Sequence, residues 1–174
     1  SAYGKPKYYE TISKNLFKGE NGIKLNLKYF NHTDKNYSYK FQGKPEQNNL
    51  FSNNLKNLFN ISELGIDNIT DLQKDLASSV QKTFEHKLFK IIKEIKDLNF
   101  SDNLVYAGGC ALNSLANKKL HESNLFKNIF IPYAPGDGGG SIGAALYALK
   151  KNKKTAFSNL TSPFLGPSFS NSEI

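Results

Sequence analysis

The sequence is marked first by what it lacks. Among 174 residues there is no arginine, no methionine and no tryptophan, and there is a single cysteine, Cys110. One cysteine excludes an internal disulfide framework and fits a reducing compartment, so we expect a cytoplasmic location. No apolar run approaches the roughly 20 residues that a helix needs to cross a bilayer, and we expect no membrane partner. Residues 1–10 also lack the apolar stretch of a secretory signal.

The positive charge of the chain comes from lysine alone. The 23 basic residues exceed the 15 acidic residues and give a formal net charge of +8. Without arginine, the chain cannot make the bidentate contacts to bases and phosphates that arginine supplies. We therefore interpret the lysines as a solvated surface and do not expect a nucleic-acid partner. The alternative is a lysine-rich module that binds nucleic acid or another anionic polymer, which predicts a contiguous lysine face and salt-dependent affinity.

Composition divides the chain into three segments. Residues 1–65 are rich in Asn, Lys, Tyr and Phe and are expected to be loop-rich. Within them, residues 22–29 alternate apolar and polar side chains, and we expect them to pair with residues 37–41 in a β-hairpin. Residues 66–155 are more regular and predict an α/β lobe with a ligand-binding crevice. Residues 156–174 are expected to be an exit linker toward a further domain.

The second segment opens with a long helical pattern. Thr70 followed by Gln73 predicts a capping box at its start. Apolar residues then recur at steps of three or four and predict one apolar stripe on a single helix. These residues are Leu72, Leu76, Val80, Phe84, Leu88, Ile91, Ile95 and Leu98.

Two short buried strands, residues 103–107 and 128–131, follow the long helix. Each precedes a glycine-rich turn and then another helical pattern. This order predicts parallel pairing with right-handed crossovers, and ligands bind beyond the carboxyl ends of such strands. The two glycine turns are therefore predicted to face one crevice. The apolar residues of the two helices are Leu112, Leu115, Ala116 and Leu120 in the first, and Ile142, Ala145, Leu146 and Leu149 in the second.

The first glycine turn runs from Gly108 to Asn113. Gly108 and Gly109 allow a ligand to approach the backbone, and the helix that follows offers N–H groups to an anion. Asn113 either donates to a ribose hydroxyl or a phosphate oxygen, or only caps the helix. Cys110 has no histidine beside it in the sequence, and we interpret it as a buried, unreactive thiol. The sequence identifies no catalytic residue.

The second glycine turn holds Asp137 followed by Gly138, Gly139 and Gly140. A carboxylate at a strand end is suited to a cation that also touches phosphate, and the glycines can present N–H donors to an anion. One carboxylate does not hold a metal by itself, so further ligands are required. The competing interpretation is a turn aspartate stabilised by the helix dipole. Ser141 is predicted to cap the last helix.

The three histidines, His32, His86 and His121, are far apart and lack the spacing of metal ligands. His121 falls near a helix end, where the helix dipole favours a cation. We expect all three to be structural or to face solvent. The pattern therefore gives Asp137 no histidine partner.

Five short segments carry a family resemblance. They read AYGKPKY at residues 2–8, DLASSVQ at 75–81, LVYAGGCALN at 104–113, PYAPGDGGGSIGAAL at 132–146 and SPFLGP at 162–167. Two of them contain the glycine turns. Their order along the chain matters as much as their letters, because a chance match rarely keeps both.

These segments resemble the O-carbamoyltransferases of the nodulation-protein and antibiotic-tailoring type. The first four are similar to that family's A-P-Y-G-x-P stretch, D-x-A-x-x-x-Q helix, L-A-G-G-V-A-L-N loop and P-x-x-x-D-x-G-x-x-x-G-A-A segment. The fifth is similar to the exit from its N-terminal domain. Ala2 stands where proline is usual, and Cys110 replaces the commoner valine. The resemblance covers nearly the whole chain.

The resemblance implies one lobe of the actin-like ATPase fold, the fold of sugar kinases and Hsp70, with a partly parallel sheet and flanking helices. It implies transfer of a carbamoyl group from carbamoyl-adenylate, made from carbamoyl phosphate and ATP, to the hydroxyl of a small-molecule acceptor. Asp137 would bind an iron-type divalent metal. The residues expected around ATP or carbamoyl-adenylate are Gly108, Gly109, Asn113, Gly138 and Gly139.

Two expected parts of such an enzyme lie outside this sequence. The family's pair of metal histidines, spaced His-x-x-x-His, precedes the segment at residues 2–8, and its adenylate-forming domain follows residue 174. We therefore expect the intact parent to be an enzyme, the missing first lobe and C-terminal domain to be partners, and the fragment alone to be inactive. An actin-fold kinase lobe, in which Asp137 positions phosphate and metal for phosphoryl transfer, is the nearby alternative.

Overall fold

The computed structural model describes residues 3–19, 23–34, 38–41, 43, 46–47, 49–61, 68–152 and 166–173. The protein is α/β, with small sheets that include one parallel pair. Its chain divides into two compact units, Ser1–Glu94 and Ile95–Ile174. The boundaries at residues 65 and 155 and the assignment to the actin-like ATPase fold stay predictions.

In its described residues, unit 1 contains three helices and two small antiparallel ribbons. Its third helix continues past Glu94. In chain order the elements are α1 (Tyr9–Asn15), β1 (Phe17–Lys18), β2 (Lys24–Leu25), β3 (Tyr39–Lys40), β4 (Glu46–Gln47), α2 (Asn53–Leu58) and α3 (Asp71–Asp97). Strand β1 pairs with β2, and β3 pairs with β4. Ile12, Tyr29 and Phe59 are buried in this unit.

The predicted hairpin between residues 22–29 and 37–41 is wrong. Strand β2 pairs with the preceding β1, and residues 27–29 form a 3-10 turn instead of extending the strand. The nearer partner closes a shorter loop, which costs less entropy, and Gly19 at φ 84° supplies the left-handed turn that this closure needs. Residues 22 and 37 lie outside the described residues.

The predicted long helix and its capping box are confirmed. The Gln73 N–H donates to Thr70 Oγ1 at 3.3 Å, and the Thr70 N–H donates to Gln73 Oε1 at 2.6 Å. The predicted apolar stripe, however, is buried only in part, at Leu88. Val80 is 55% exposed, and Ile95 and Leu98 are exposed as well.

The buried face of α3 is partly polar because it receives the N-terminal segment. The Lys5 N–H donates to Asp75 Oδ1 at 2.7 Å, and the Tyr8 N–H donates to Ser79 Oγ at 2.9 Å. A Cβ on Gly4 would collide with the carbonyl of Lys74. The backbone N–H groups of the N-terminal segment are removed from water and need acceptors. A polar stripe of α3 is therefore buried beneath this segment. The segments at residues 2–8 and 75–81 thus contact each other.

Asp75 also forms an ion pair with Lys7, with Nζ 2.6 Å from Oδ2. The hydrogen bond from the Lys5 backbone, followed by that from Lys7, lowers the pKa of the Asp75 carboxyl. The hydrogen bond between Lys7 and Asp75 in turn raises the pKa of the Lys7 ammonium group. The folded unit therefore favours the charged form of both side chains.

Unit 2 is built on two parallel strands, as the sequence predicts. Strand β5 (Asn103–Val105) pairs in parallel with β6 (Asn128–Phe130). Each strand is followed by a 3-10 turn and a helix, α4 (Ser114–Glu122) and α5 (Gly140–Lys151) respectively. The order strand, helix, strand, helix is therefore confirmed.

The two helices of unit 2 bury less apolar surface than their patterns predict. In α4, Ala116 and Leu120 are fully buried, but Leu115 is 45% exposed, and Leu112 just before it is 67% exposed. Helix α5 buries none of its residues. A two-stranded sheet has little surface with which to cover them. None of the helices that the structure describes is both long and apolar enough to cross a membrane.

Candidate functional site

The two glycine turns lie side by side at the carboxyl ends of β5 and β6. The Gly108 N–H donates to the carbonyl of Pro135 at 2.7 Å, which joins the two turns directly. Leu112 Cδ1 lies 3.5 Å from the position that a Cβ on Gly136 would take. The structure thus brings the predicted turns into one place, while the ligand roles of their residues stay predictions.

The first turn depends on glycine for its backbone shape. Gly108 has φ 105°, a conformation that other residues rarely adopt. Its N–H is already used by Pro135, so this amide donates within the protein and not to an anion. A Cβ on Gly109 would meet nothing within 4 Å, so open space surrounds this backbone. Gly109 therefore offers the closer approach to a ligand.

Asn113 is the N-cap of α4. Its Oδ1 accepts the Ala116 N–H at 3.1 Å, and this confirms the capping interpretation. Asn117, one turn later, donates from Nδ2 to the carbonyl of Ala111 at 2.7 Å and fixes the 3-10 turn of residues 109–112. The cap engages the oxygen of Asn113, so a ligand role would rest on its amide nitrogen.

The prediction that Cys110 is buried is wrong, because its side chain is exposed. The 3-10 turn buries the neighbouring Ala111 and directs residue 110 outward. Tyr106, just below the turn, has a buried hydroxyl without a hydrogen-bond partner among the described residues. Burial, and to a smaller degree the nearby Cys110, raises the pKa of Tyr106.

The second turn needs glycine at one position for packing. A Cβ on Gly139 would collide with the carbonyl oxygen of Ala134, so glycine is required here without any ligand. Gly138 and Gly140 face open space instead. Helix α5 begins at Gly140 and Gly139 is its N-cap, so the prediction that Ser141 caps the helix is wrong. Ser141 Oγ lies 3.3 Å from the Gly138 carbonyl, to which it donates.

Asp137 begins the 3-10 turn before α5, and its side chain is exposed. Within the part of the chain that the structure describes, no group of three or more His, Cys, Asp or Glu residues is placed to hold a metal. The three histidines are all exposed, as expected. The described residues therefore supply one possible oxygen ligand and do not complete a metal site.

An apolar cleft of about 400 Å³ opens beside the second turn. Its walls combine aromatic and aliphatic side chains with glycine backbone, a composition common in ligand sites. The lining includes Phe130, Pro132, Tyr133, Pro135, Ile142 and Leu146.

Sequence reasoning missed Pro135, Asn117 and Tyr106. Pro135 is buried and accepts the hydrogen bond that joins the turns, although nothing in its pattern marks it as more than a turn residue. Asn117 lies four residues after Asn113 on the same helix face, and this spacing could have indicated a second polar contact to the turn. Tyr106 follows a strand, where alternation alone does not distinguish a buried hydroxyl from an exposed one.

Unit 2 is thus an α/β unit with two joined glycine turns at the carboxyl ends of parallel strands, the class of arrangement that binds ligands at this edge of a sheet. Residues 1–146 match the family model described as Carbamoyltransferase N-terminus. The chain belongs to this carbamoyltransferase family.

Three relatives show how much of this chain is similar to other proteins. An uncharacterized protein of Synechocystis sp. is 33% identical over 180 residues, which is 99% of this chain and 27% of that protein. Nodulation protein NolNO of Sinorhizobium fredii is 36% identical over 77 residues, covering 44% of this chain and 11% of NolNO. The tRNA N6-adenosine threonylcarbamoyltransferase of Ureaplasma urealyticum is 38% identical over 79 residues, covering 45% of this chain and 25% of that enzyme. The chain thus spans about a quarter or less of these three relatives.

Proposed function

We propose that this chain is part of an O-carbamoyltransferase, which moves a carbamoyl group from carbamoyl-adenylate to a substrate hydroxyl. The observation that carries the proposal is the hydrogen bond from Gly108 to Pro135, because it holds two glycine turns together at the edge where α/β sheets bind nucleotides. Membership in the carbamoyltransferase family supports the type of group transferred. We further infer that unit 2 belongs to a lobe of the actin-like ATPase fold.

We assign the site residues from the open space around each backbone and from the hydrogen-bond donors that each residue carries. Gly109 and Gly138 have open space where a Cβ would stand, so a phosphate can approach their backbone. Asn113 would donate from its amide nitrogen to a ribose hydroxyl or a phosphate oxygen while its oxygen caps α4. Gly108 and Gly139 shape the turns. The Gly108 N–H donates to the Pro135 carbonyl, and Gly139 has no room for a side chain.

The reaction needs a leaving group that is stabilised as it departs. The acceptor hydroxyl oxygen bonds to the carbamoyl carbon, the bond from that carbon to the adenylate oxygen breaks, and the hydroxyl proton passes to water. Negative charge then develops on the phosphate of AMP. Backbone N–H groups of the two turns and the amide of Asn113 would stabilise this charge, because fixed donors need no reorganisation during the reaction.

Asp137 has a different part in the proposal. A bare carboxylate repels a phosphate, so an aspartate in a phosphate-binding turn requires a cation between them. A divalent metal bound there would polarise the mixed anhydride. We propose an iron-type metal held by Asp137 and by ligands from the missing first lobe. Since the described residues do not complete this site, no step of the reaction is assigned to the metal.

The proposal makes this chain one of three parts. The missing first lobe would close the nucleotide cleft, and a C-terminal domain would form carbamoyl-adenylate from carbamoyl phosphate and ATP. A small molecule with a hydroxyl group would be the acceptor. The fragment alone would then have no transferase activity, because it lacks both the donor and half of the cleft.

The test uses the parent protein with ATP, carbamoyl phosphate and a panel of hydroxyl-bearing acceptors. Mass spectrometry of the acceptor and AMP formation are the readouts. Asp137→Asn is expected to lower the rate about 100-fold, since each 1.4 kcal/mol of lost charge stabilisation is about tenfold and a bound cation contributes several kcal/mol.

Asp71→Asn is the matched control, because Asp71 is also an exposed aspartate in the first turn of a helix. It should leave the rate within about twofold of the wild type, a change of a few tenths of a kcal/mol. A phosphorylated acceptor would contradict carbamoyl transfer and support the kinase alternative. Equal rates for Asp137→Asn and the wild type would remove Asp137 from the mechanism.

A further inference from the structure

Unit 1 carries a surface on which lysines and aromatic rings alternate, and the proposed function does not use it. Lys82 Nζ lies 4.7 Å from the centre of the Tyr9 ring, and Lys87 Nζ lies 5.0 Å from the centre of the Phe17 ring. The His86 ring meets the same Tyr9 ring at 6.0 Å. We call this the lysine–aromatic surface, and its members are Tyr9, Phe17, Lys18, Lys24, Lys82, His86 and Lys87.

The β1–β2 ribbon adds two further positive charges to this surface. Lys18 lies directly opposite Lys24 in the antiparallel register, and both side chains are exposed. Like charges placed directly opposite each other destabilise a ribbon, so folding alone gives no reason for this pair. The Lys18–Lys24 pair lies beside Phe17, and Lys87 lies over the Phe17 ring.

Carboxylates do not neutralise the four lysines of the surface. Among the described residues, none of them lies within 4.0 Å of a carboxylate oxygen. Glu10, beside Tyr9 in the chain, instead has Lys14 at 3.9 Å. Glu85 on α3 is buried and accepts a hydrogen bond from Gln81. Within the described residues, the four ammonium groups of this surface therefore have no carboxylate in ion-pair contact.

The arrangement favours an extended polyanion over a small anion. The lysines are distributed over the ribbon and the middle of α3 and do not converge on one cavity. Aromatic rings among lysines suit single-stranded nucleic acid, because phosphates can meet the ammonium groups while bases contact the parts of the rings that the lysines do not cover. With no arginine in the chain, the bidentate contact of a guanidinium to guanine is not available, and we expect binding that does not depend on sequence.

We propose that unit 1 binds single-stranded nucleic acid, without sequence preference, through the lysine–aromatic surface. The test is fluorescence anisotropy of the full 174-residue chain with a labelled oligouridine of about 20 nucleotides, titrated at salt concentrations from about 50 to 200 mM. Four phosphate contacts predict a slope of about −3 for log K against log salt, since each contact to a single strand contributes about −0.7.

The decisive comparison is between two variants with the same net charge. Lys18→Gln/Lys24→Gln removes two lysines of the surface, whereas Lys127→Gln/Lys150→Gln removes two exposed lysines of unit 2. The first variant is expected to bind at least about tenfold more weakly and to reduce the slope by about 1.4. The second should stay within about twofold of the wild type, and circular dichroism should show both variants folded.

Three outcomes would overturn the proposal. Equal weakening by the two variants would mean that net charge, and not this surface, attracts the oligonucleotide. No binding at the lowest salt would exclude nucleic acid as a partner. Binding to anionic phosphatidylserine vesicles in preference to the oligonucleotide would identify a membrane surface instead.

Discussion

Asn113 allows the structural and the functional role of one side chain to be separated. Its Oδ1 caps α4 at 3.1 Å from the Ala116 nitrogen, and its amide group is the proposed ligand donor. Asn113→Ala removes both, whereas Asn113→Ser keeps an oxygen that caps nearly as well. The two variants therefore predict different patterns of stability and activity.

The expected stability changes follow from the cap. Asn113→Ala should lower the free energy of unfolding by about 1 kcal/mol, because the first turn of α4 loses its acceptor. For a chain of this size, that corresponds to a fall in Tm of about 2–4 °C. Asn113→Ser should stay close to the wild type. Thr70→Ala, which removes the cap of α3, is the matched control and should cost a similar amount.

The expected activity changes separate the variants in a different way. In the parent protein, both Asn113 variants should lower the rate of carbamoyl transfer about tenfold or more, since a hydrogen bond to a charged group contributes about 1.5–3 kcal/mol and this site is proposed to hold carbamoyl-adenylate. Thr70→Ala should leave this rate unchanged. If Asn113→Ser transfers the carbamoyl group as fast as the wild type does, the side chain is only a cap and the proposed donor role is refuted.

Three further predictions concern the fold. The lowered pKa of the Asp75 carboxyl means that its charge stabilises the folded state above the unfolded pKa, near 4, and that this stabilisation is lost as the pH falls through the lower folded pKa. Urea titrations at about pH 5 and about pH 2 should therefore show a smaller loss of stability in Asp75→Asn than in the wild type. Gly4→Ala should destabilise more than Gly19→Ala by thermal unfolding: both glycines have φ 84°, but only Gly4 faces the α3 backbone, so Gly19→Ala costs about 1–2 kcal/mol of backbone strain alone. Leu120→Ala should cost about 2–5 kcal/mol in a chemical denaturation curve, and Leu115→Ala, at an exposed position, less than about 1 kcal/mol. Equal effects within any of these pairs would contradict the contacts described here.

The sequence predicts the elements of unit 2 well because local signals are strong there. Two apolar strands followed by glycine turns specify the parallel pair. The pattern also predicts that the turns come together. What it does not reveal is the contact that joins them, because the Pro135 carbonyl is a backbone group that every residue possesses.

The sequence predicts unit 1 less well because its packing is polar. The hydrophobic pattern of α3 selects Val80 as buried, whereas the structure buries Asp75 and Ser79 under the N-terminal segment. Periodicity records apolar residues and gives no sign that backbone donors will need acceptors on a helix face. The β1–β2 ribbon is missed for a similar reason, since strands of two residues are too short for alternation to be visible.

The claim that the two glycine turns form one nucleotide site is tested most directly by hydrogen–deuterium exchange of the parent protein with and without ATP plus carbamoyl phosphate, from which the C-terminal domain would supply carbamoyl-adenylate. We expect slower exchange in residues 108–113 and 136–140 at the same ATP concentration, while strands β1 and β2 stay unchanged. Protection of only one turn, or of neither, at saturating ATP would contradict a shared site.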